Sequence, residues 1–305
     1  MCGQSDNRTF HRNRAMGRWN GMLLGTVAML FLLLGGAASA ADNADWTTPL
    51  APFRIAGNLY YVGSKDLASY LIVTPKGDIL INASLQGSPA LIKASVEKLG
   101  FRMRDIKILL TSHAHWDHVA GSAKIKKMTG ANFEIMDGDV AVVESGGAKD
   151  FAYPGTRYPA IKVDRVLHDG DKVSLGGTVL VAHMTPGHTR GCTTWTMQVL
   201  DRGKPENVVI VGSWNVNSEF RLVDRPGKPA SYPGIAADYR KTFSLLQSLP
   251  CDIFLGAHGG YFDMLTKLKH AQTQPDVWID PEGYHAAVAE RQAAFEAELK
   301  RQSNL

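Results

Sequence analysis

Cysteine is scarce in this chain. There are three in 305 residues, none in a Cys-x-x-Cys pair and none clustered with histidine. That excludes zinc-finger chemistry and a disulfide-dense scaffold. Internal repeats, heptads and low-complexity linkers are missing too, which excludes solenoids, coiled coils and tethered modules. There is one long apolar run, MLLGTVAMLFLLLGG at residues 22–36. It is short of the roughly 20 apolar residues that a bilayer requires.

That run has another use. Arg8, Arg12, Arg14 and Arg18 precede it, and the small-residue stretch AASAA then leads into polar ADNAD. A basic region, a short apolar stretch and an A-x-A site are the pattern of a secretory signal peptide. Ala38-Ser39-Ala40 places cleavage after Ala40, with Ala41 nearly as good, and Met16 is an alternative start that keeps Arg18. The sequence thus predicts a signal peptide at 1–40, export to the periplasm, and a single catalytic domain over 41–305. Excess charge is then absent. The whole chain is at +4, but four arginines and one aspartate leave with residues 1–40, so 29 cationic residues face 28 anionic ones. Nothing at a net +1 points to nucleic acid or an anionic membrane as partner.

The remainder alternates short strands with turn residues. NLYYVGS, ASYLIVTPKG and GDILINAS read as a meander. SPALIKASVEKLG has helical spacing, with Ser88 as N-cap and Gly100 after its end. IKILL is a buried strand, HVAGSAKIKKMTG a helix stopping at Gly130, ANFEIM a strand and DGDVAVVESGG a short helix. In the second half KVDRVL, DKVSLGG, TVLVAHM, TTWTMQVL and NVVIVG read as strands. A helix in AADYRKTFSLLQSL, the strand CDIFLGAH and a C-terminal helix from Pro281 follow. Two such sets, each sheet needing cover, imply an α/β fold in which two sheets pack face to face between helices, an αββα sandwich.

The chemistry concentrates in TSHAHWDH, residues 111–118, at the end of IKILL. His113 and His115 are two apart, so in extended backbone both rings face one side. Asp117 and His118 follow at a helix start. Chance is a poor account of three of the nine histidines after residue 40 falling within six positions. A metal-free acid/base pair needs one or two such groups, not four. Neutral imidazole and carboxylate are what zinc takes at catalytic sites. Further ligands are expected at other strand ends: His188 in MTPGHTRG and His258 closing CDIFLGAH. His183 lies within a strand and is expected to support the site or to pack. His168 reads as a turn residue, and His270 and His285 lie on helices.

This pattern, His-x-His-x-Asp-His after a strand, then Gly-His some seventy positions on and a third histidine, resembles the metallo-β-lactamase superfamily. DLASYLIVTPKGDILIN, TPGHTRGCTTWTM and CDIFLGAH are most similar to the subclass B3 metallo-β-lactamases. The resemblance implies two Zn2+ ions, one on His113, His115 and His188 and one on Asp117, His118 and His258. It implies a β-lactamase that opens the lactam ring of penicillins, cephalosporins and carbapenems with a metal-bound hydroxide. Asp117 would orient the nucleophile, and Ser213 and Asn215 would hold the substrate carboxylate. The other candidates in the superfamily are thioesterases of the glyoxalase II kind and lactonases. Those place Gly-Asp at the end of the strand NVVIVG, where this chain has Gly212-Ser213. The expected partner is a small β-lactam molecule, with no membrane in the mature form, and the chain is expected to be a monomer.

The chain also departs from the family pattern. Asn82 stands where many relatives have aspartate, and Phe220 where many B3 enzymes have a tyrosine whose hydroxyl assists the carbonyl oxygen. Related enzymes often pair a cysteine at the Cys251 position with one near the start of the C-terminal helix, where this chain has Tyr284. Cys192 lies close to the ligand His188, whereas Cys251 is seven residues before His258, at the far end of its strand. Seven extended residues span roughly 23 Å, while bridged Cα atoms approach within about 7 Å. Both thiols are therefore expected to be free and buried.

Overall fold

Each half of the chain builds one sheet. The computed structural model describes residues 43–304, so the expected signal peptide lies outside the described residues. Phe53–Ala56 (β1), Leu59–Tyr61 (β2), Tyr70–Thr74 (β3) and Gly77–Ile81 (β4) form an antiparallel meander. Helix Pro89–Lys98 (α1) crosses to Ile106–Leu110 (β5), which runs parallel to β4. Trp116–Val119 (α2) and Ser122–Thr129 (α3) lead to Asn132–Met136 (β6). Asp137–Glu144 (α4) then leads to Arg165–Leu167 (β7), and both strands add in parallel. This sheet keeps chain order, β1 to β7.

Lys172–Leu175 (β8), Thr178–Met184 (β9), Thr193–Asp201 (β10) and Lys204–Val211 (β11) form a second meander. Helix Ile235–Ser248 (α5) crosses to Ile253–Gly256 (β12), parallel to β11. Met264–His270 (α6) and Pro281–Ser303 (α7) close the chain. The sheet order is β12-β11-β10-β9-β8.

Side-chain alternation dictates the layers. On β3 and β4, Tyr70, Ile72, Ile79 and Ile81 face a core shared with Trp195, Met197 and Val199 of β10. Their neighbours Leu71 and Leu80 turn the other way, against Ile92 and Val96 of α1 and Ile125 of α3. Both faces of these strands are buried, which is why they read as near-continuous apolar runs. On the far side, Tyr239 and Phe243 of α5 pack on Phe295 of α7, with ring centroids 5.1 and 5.8 Å apart. Helices, sheet, sheet, helices: the expected αββα sandwich is the observed one.

Three local expectations are corrected. The helix expected from His118 is broken between α2 and α3. There the amides of Ala83 and Ser84 both donate to the His118 carbonyl, and Gly121 returns a bond to Ser84. A Cβ on Gly121 would run into the Ala83 carbonyl, so only glycine allows this close approach. Ser88 precedes α1 but makes no side-chain cap; Pro89 at the first turn has no N–H to satisfy. Only Arg165–Leu167 of KVDRVL is strand. The sequence reading also missed β1 and α6.

Candidate metal centre

The functional side chains lie where strands of both sheets end. β5 delivers the 111–118 loop, β9 the 185–191 loop, β11 the segment from Gly212, and β12 His258. Cross-sheet bonds hold these ends in register. The Trp195 indole donates to the Thr111 carbonyl over 3.1 Å and the Thr193 amide to the Ser112 carbonyl over 2.7 Å. Tyr70 Oη donates to the Gly256 carbonyl over 2.7 Å.

Two residues outside the cluster shape its loops. Asn82, with a left-handed φ of +63°, accepts from the Ser112 amide (2.8 Å) and donates to the Ala68 carbonyl (3.2 Å). Asparagine is one of the few side chains that tolerates this conformation. Asp139, fully buried, accepts from the Ala114 amide (2.9 Å), Thr189 Oγ1 (2.8 Å) and the Gly191 amide (2.9 Å). It ties the loop carrying His113 and His115 to the loop carrying His188. Burial raises its carboxyl to about 6 in spite of those three bonds.

His113, His115 and His188 bring one nitrogen each within 4.8 Å of one another, as do donor atoms of His113, Asp117 and His118. His258 joins the second group, its Nε2 3.2 Å from His118 Nε2 and 3.6 Å from Asp117 Oδ2. All six expected ligands are therefore assembled.

The tautomers decide what this assembly is for. His188 donates Nδ1–H to the Asn215 carbonyl over 2.8 Å, leaving a lone pair on Nε2. His115 Nε2 stands 3.6 Å from Asp150 Oδ2, beyond hydrogen-bond reach, and is buried without a partner. The free Nε2 of His188 lies 3.1 Å from His115 Nδ1, close enough for both to reach one cation. His113 Nε2 is buried with no partner at all. Buried polar atoms left unpaired are rare and call for an ion or water. Burial and the neighbouring rings hold His113 and His188 well below the usual imidazole range, and burial takes His115 to about 4, so these rings are neutral ligands near pH 7. Burial would raise Asp117, but the adjacent His118 holds it well below the ordinary carboxyl range. Burial would lower His258, but hydrogen bonds to Asp117 and Asp66 lift it to about 9. The proton it holds is the one a bound cation displaces. The donor set fits a metal.

Ser213 is 1% exposed, and its Oγ lies 3.1 Å from Tyr261 Oη. Asn215 Nδ2 donates to the same phenol oxygen over 3.1 Å. Phe220 is buried, 5.6 Å from the His188 ring and 5.3 Å from Phe151. His183 does not support the metal site; it is half-buried and packs on its own sheet. It bonds Thr196 Oγ1 over 2.8 Å across the outer face of the second sheet. His168 is exposed beside Asp137, while His270 and His285 lie on α6 and α7. Sequence reasoning missed Asp66, Asp139, Asp150 and Tyr261. Each sits in a stretch whose local pattern reads as an ordinary turn or helix, and no spacing marks it.

The chain matches the family model described as Metallo-beta-lactamase superfamily over residues 67–258. It superimposes on the native FEZ-1 metallo-β-lactamase from Legionella gormanii with a TM-score of 0.81 and 52% identity, over 84% of this chain and 98% of that one. It is similar to BJP-1, a subclass B3 metallo-β-lactamase of Bradyrhizobium japonicum (TM-score 0.77, 37% identity, 86% and 98% covered). It is also similar to the class B3 di-zinc metallo-β-lactamase LRA-12 from an Alaskan soil metagenome (0.76, 39%, 84% and 97%). Among curated proteins, the hydroxyacylglutathione hydrolase of Rhizobium meliloti is 26% identical over 239 residues, 76% of this chain and 77% of that one. Three other curated relatives are matched over only 34%, 41% and 31% of their own length. The sandwich, the convergent imidazoles and a family match across more than half of its length agree: the chain belongs to the metallo-β-lactamase superfamily.

Proposed function

We propose that this chain is a subclass B3 β-lactamase, a hydrolase that opens the lactam ring of penicillins, cephalosporins and carbapenems using two zinc ions. The observation that carries the reading is the double set of convergent imidazole and carboxylate donors beside Gly212-Ser213. His113, His115 and His188 would hold one ion, and Asp117, His118 and His258 the other. When bound, zinc polarises a carbonyl and brings water's pKa down to about 7. Asp117 remains anionic and orients the attacking water through its carboxylate. Asn215 and Ser213, linked through Tyr261, offer a hydrogen-bonding array for the substrate's carboxylate. With Ser213 placed after Gly212, no carboxylate at that position can bridge two ions, which argues against a thioesterase of the glyoxalase II kind or a lactonase. No helix among the described residues is long and apolar enough to cross a membrane. The basic, apolar and A-x-A pattern of residues 1–40 supports export to the periplasm, and the mature chain is proposed to act as a monomer.

The test is loss of lactam absorbance with a penicillin and a carbapenem, run beside a thioester and a lactone. Rapid lactam opening is expected, abolished by a chelator and restored by zinc. Full hydrolysis in a rigorously metal-free preparation, or preference for the thioester or lactone, would reject the reading.

A further inference from the structure

The two halves of the centre are braced differently. In the first group, His188 is fixed by a main-chain carbonyl, that of Asn215. In the second, His258 donates Nδ1–H to a side-chain carboxylate, Asp66 Oδ2, over 2.9 Å. Among the described residues it is the imidazole of the centre that reaches a carboxylate with its non-ligating nitrogen within hydrogen-bond distance. That bond makes Nδ1 a donor and aims Nε2 at Asp117 and His118.

Asp66 is itself held on every side. Its Oδ2 also accepts from Trp46 Nε1 over 3.0 Å, and its Oδ1 accepts from the Gly260 amide over 3.0 Å. Its carbonyl accepts from the Gly259 amide (2.7 Å), and its amide donates to the Asp45 carbonyl (3.2 Å). The segment around Trp46 is pinned to the same loop by a bond from the Lys65 amide to the Thr48 carbonyl at 3.0 Å. The Trp46 ring lies 5.8 Å from the His258 ring. The loop is sharply turned: a Cβ on Gly63 would collide with the Leu67 carbonyl.

We propose that Asp66 is a positioning residue that sets how tightly the second metal ion is held, and that Trp46, close to the start of the exported chain, locks it in place. The inference rests on the two-metal reading above. A carboxylate behind a ligating histidine orients the ring and raises its basicity, and losing it typically lowers metal affinity about 10- to 100-fold. Because Asp66 bonds to His258 and to none of His113, His115 and His188, the loss falls on one ion and not on both.

The experiment is a zinc titration of the metal-depleted protein against a chromophoric chelator, which needs no activity. Wild type is compared with Asp66→Asn and Trp46→Phe. Asp66→Asn keeps an acceptor of the same shape but loses the charge; Trp46→Phe keeps the ring and removes only the N–H. Wild type is expected to take two ions. Asp66→Asn should weaken the second about 10- to 100-fold and leave the first unchanged, with Trp46→Phe moving the same way by less. Second-ion affinity at wild-type level in both variants overturns the proposal, as does equal loss of both ions. A single ion in the wild type overturns the two-metal reading itself, an outcome distinct from two ions bound with unchanged affinity in the variants, which overturns the inference alone.

Discussion

His188 and Asn215 share one hydrogen bond, from imidazole Nδ1 to main-chain oxygen over 2.8 Å, and the Tyr239 hydroxyl donates to the same oxygen over 2.6 Å. The loop expected to hold substrate therefore also holds a candidate metal ligand in its tautomer. It does so through backbone, which a side-chain substitution leaves intact. Asn215→Ala should keep a wild-type metal content while KM for a penicillin rises. Loss of zinc in this variant, by elemental analysis, would mean that the side chain and not the carbonyl supports His188.

Ser213 gives a sharper separation. Its hydroxyl is shared with Tyr261 and contacts no metal ligand. A hydrogen bond to a charged group is worth roughly 1.5–3 kcal/mol, so Ser213→Ala should raise KM about 10- to 150-fold with zinc content unchanged. Tyr261→Phe, which only unties Ser213 from Asn215, should raise KM by less. Steady-state kinetics with metal analysis on both variants checks this; an unchanged KM in Ser213→Ala removes the serine from the substrate site.

Stability of the metal-depleted protein should peak in pH. His113, His115 and His188 are depressed below 6.5, with His115 at about 4. The unfolded chain then binds more protons than the native one, so stability is full above 6.5 and falls as pH drops toward 4. Asp139, raised to about 6, works in the opposite sense, as do Asp78, Glu134 and Asp150, which burial also raises, and together they make the acid limb shallower. His258, raised to about 9, contributes stability below 6.5 that is lost as pH rises through 9. Each group contributes up to about 1.4 kcal/mol per pH unit within its window. Denaturant titrations from pH 4 to 9 should show a maximum near neutrality. Stability that increases steadily as pH falls toward 4 would contradict the neutral imidazoles.

Cys192 and Cys251 are both free and buried, and burial pushes each thiol up to about 12. Cys192 Sγ donates to the Ser213 carbonyl at 3.6 Å, directly behind the candidate site. A thiol reagent should leave the native chain from Ala41 onward unmodified and titrate two groups after unfolding without reductant. Mass spectrometry linking Cys192 to Cys251 would refute this.

Much of the fold was legible because burial writes itself into short-range pattern. Period-two alternation in TTWTMQVL and unbroken apolar runs in SYLIV and IKILL announced half-buried and fully buried strands. Imidazole spacing in HAHWDH named four candidate ligands, since neighbours on one extended segment need no fold to bring them together. The helix after His118 was misread because its break depends on a backbone contact with residues 83 and 84, far away in sequence. Whether His183 supports the site or packs was not legible, because alternation says that a side chain changes face, not which face is covered.

The sequence by itself determined most of the strands and helices, the donor types at the centre and a serine, not a carboxylate, after Gly212. These follow from residue identity and spacing alone. Only the tertiary structure decided that His188 leans on the Asn215 carbonyl, that Asp66 and Trp46 stand behind His258, and that Asp139 joins two ligand loops. Asp66 is 192 positions from His258 and Asp139 is 50 from Thr189. Each pair meets only because two sheets, one from each half of the chain, bury their faces together and bring their strand ends to one edge.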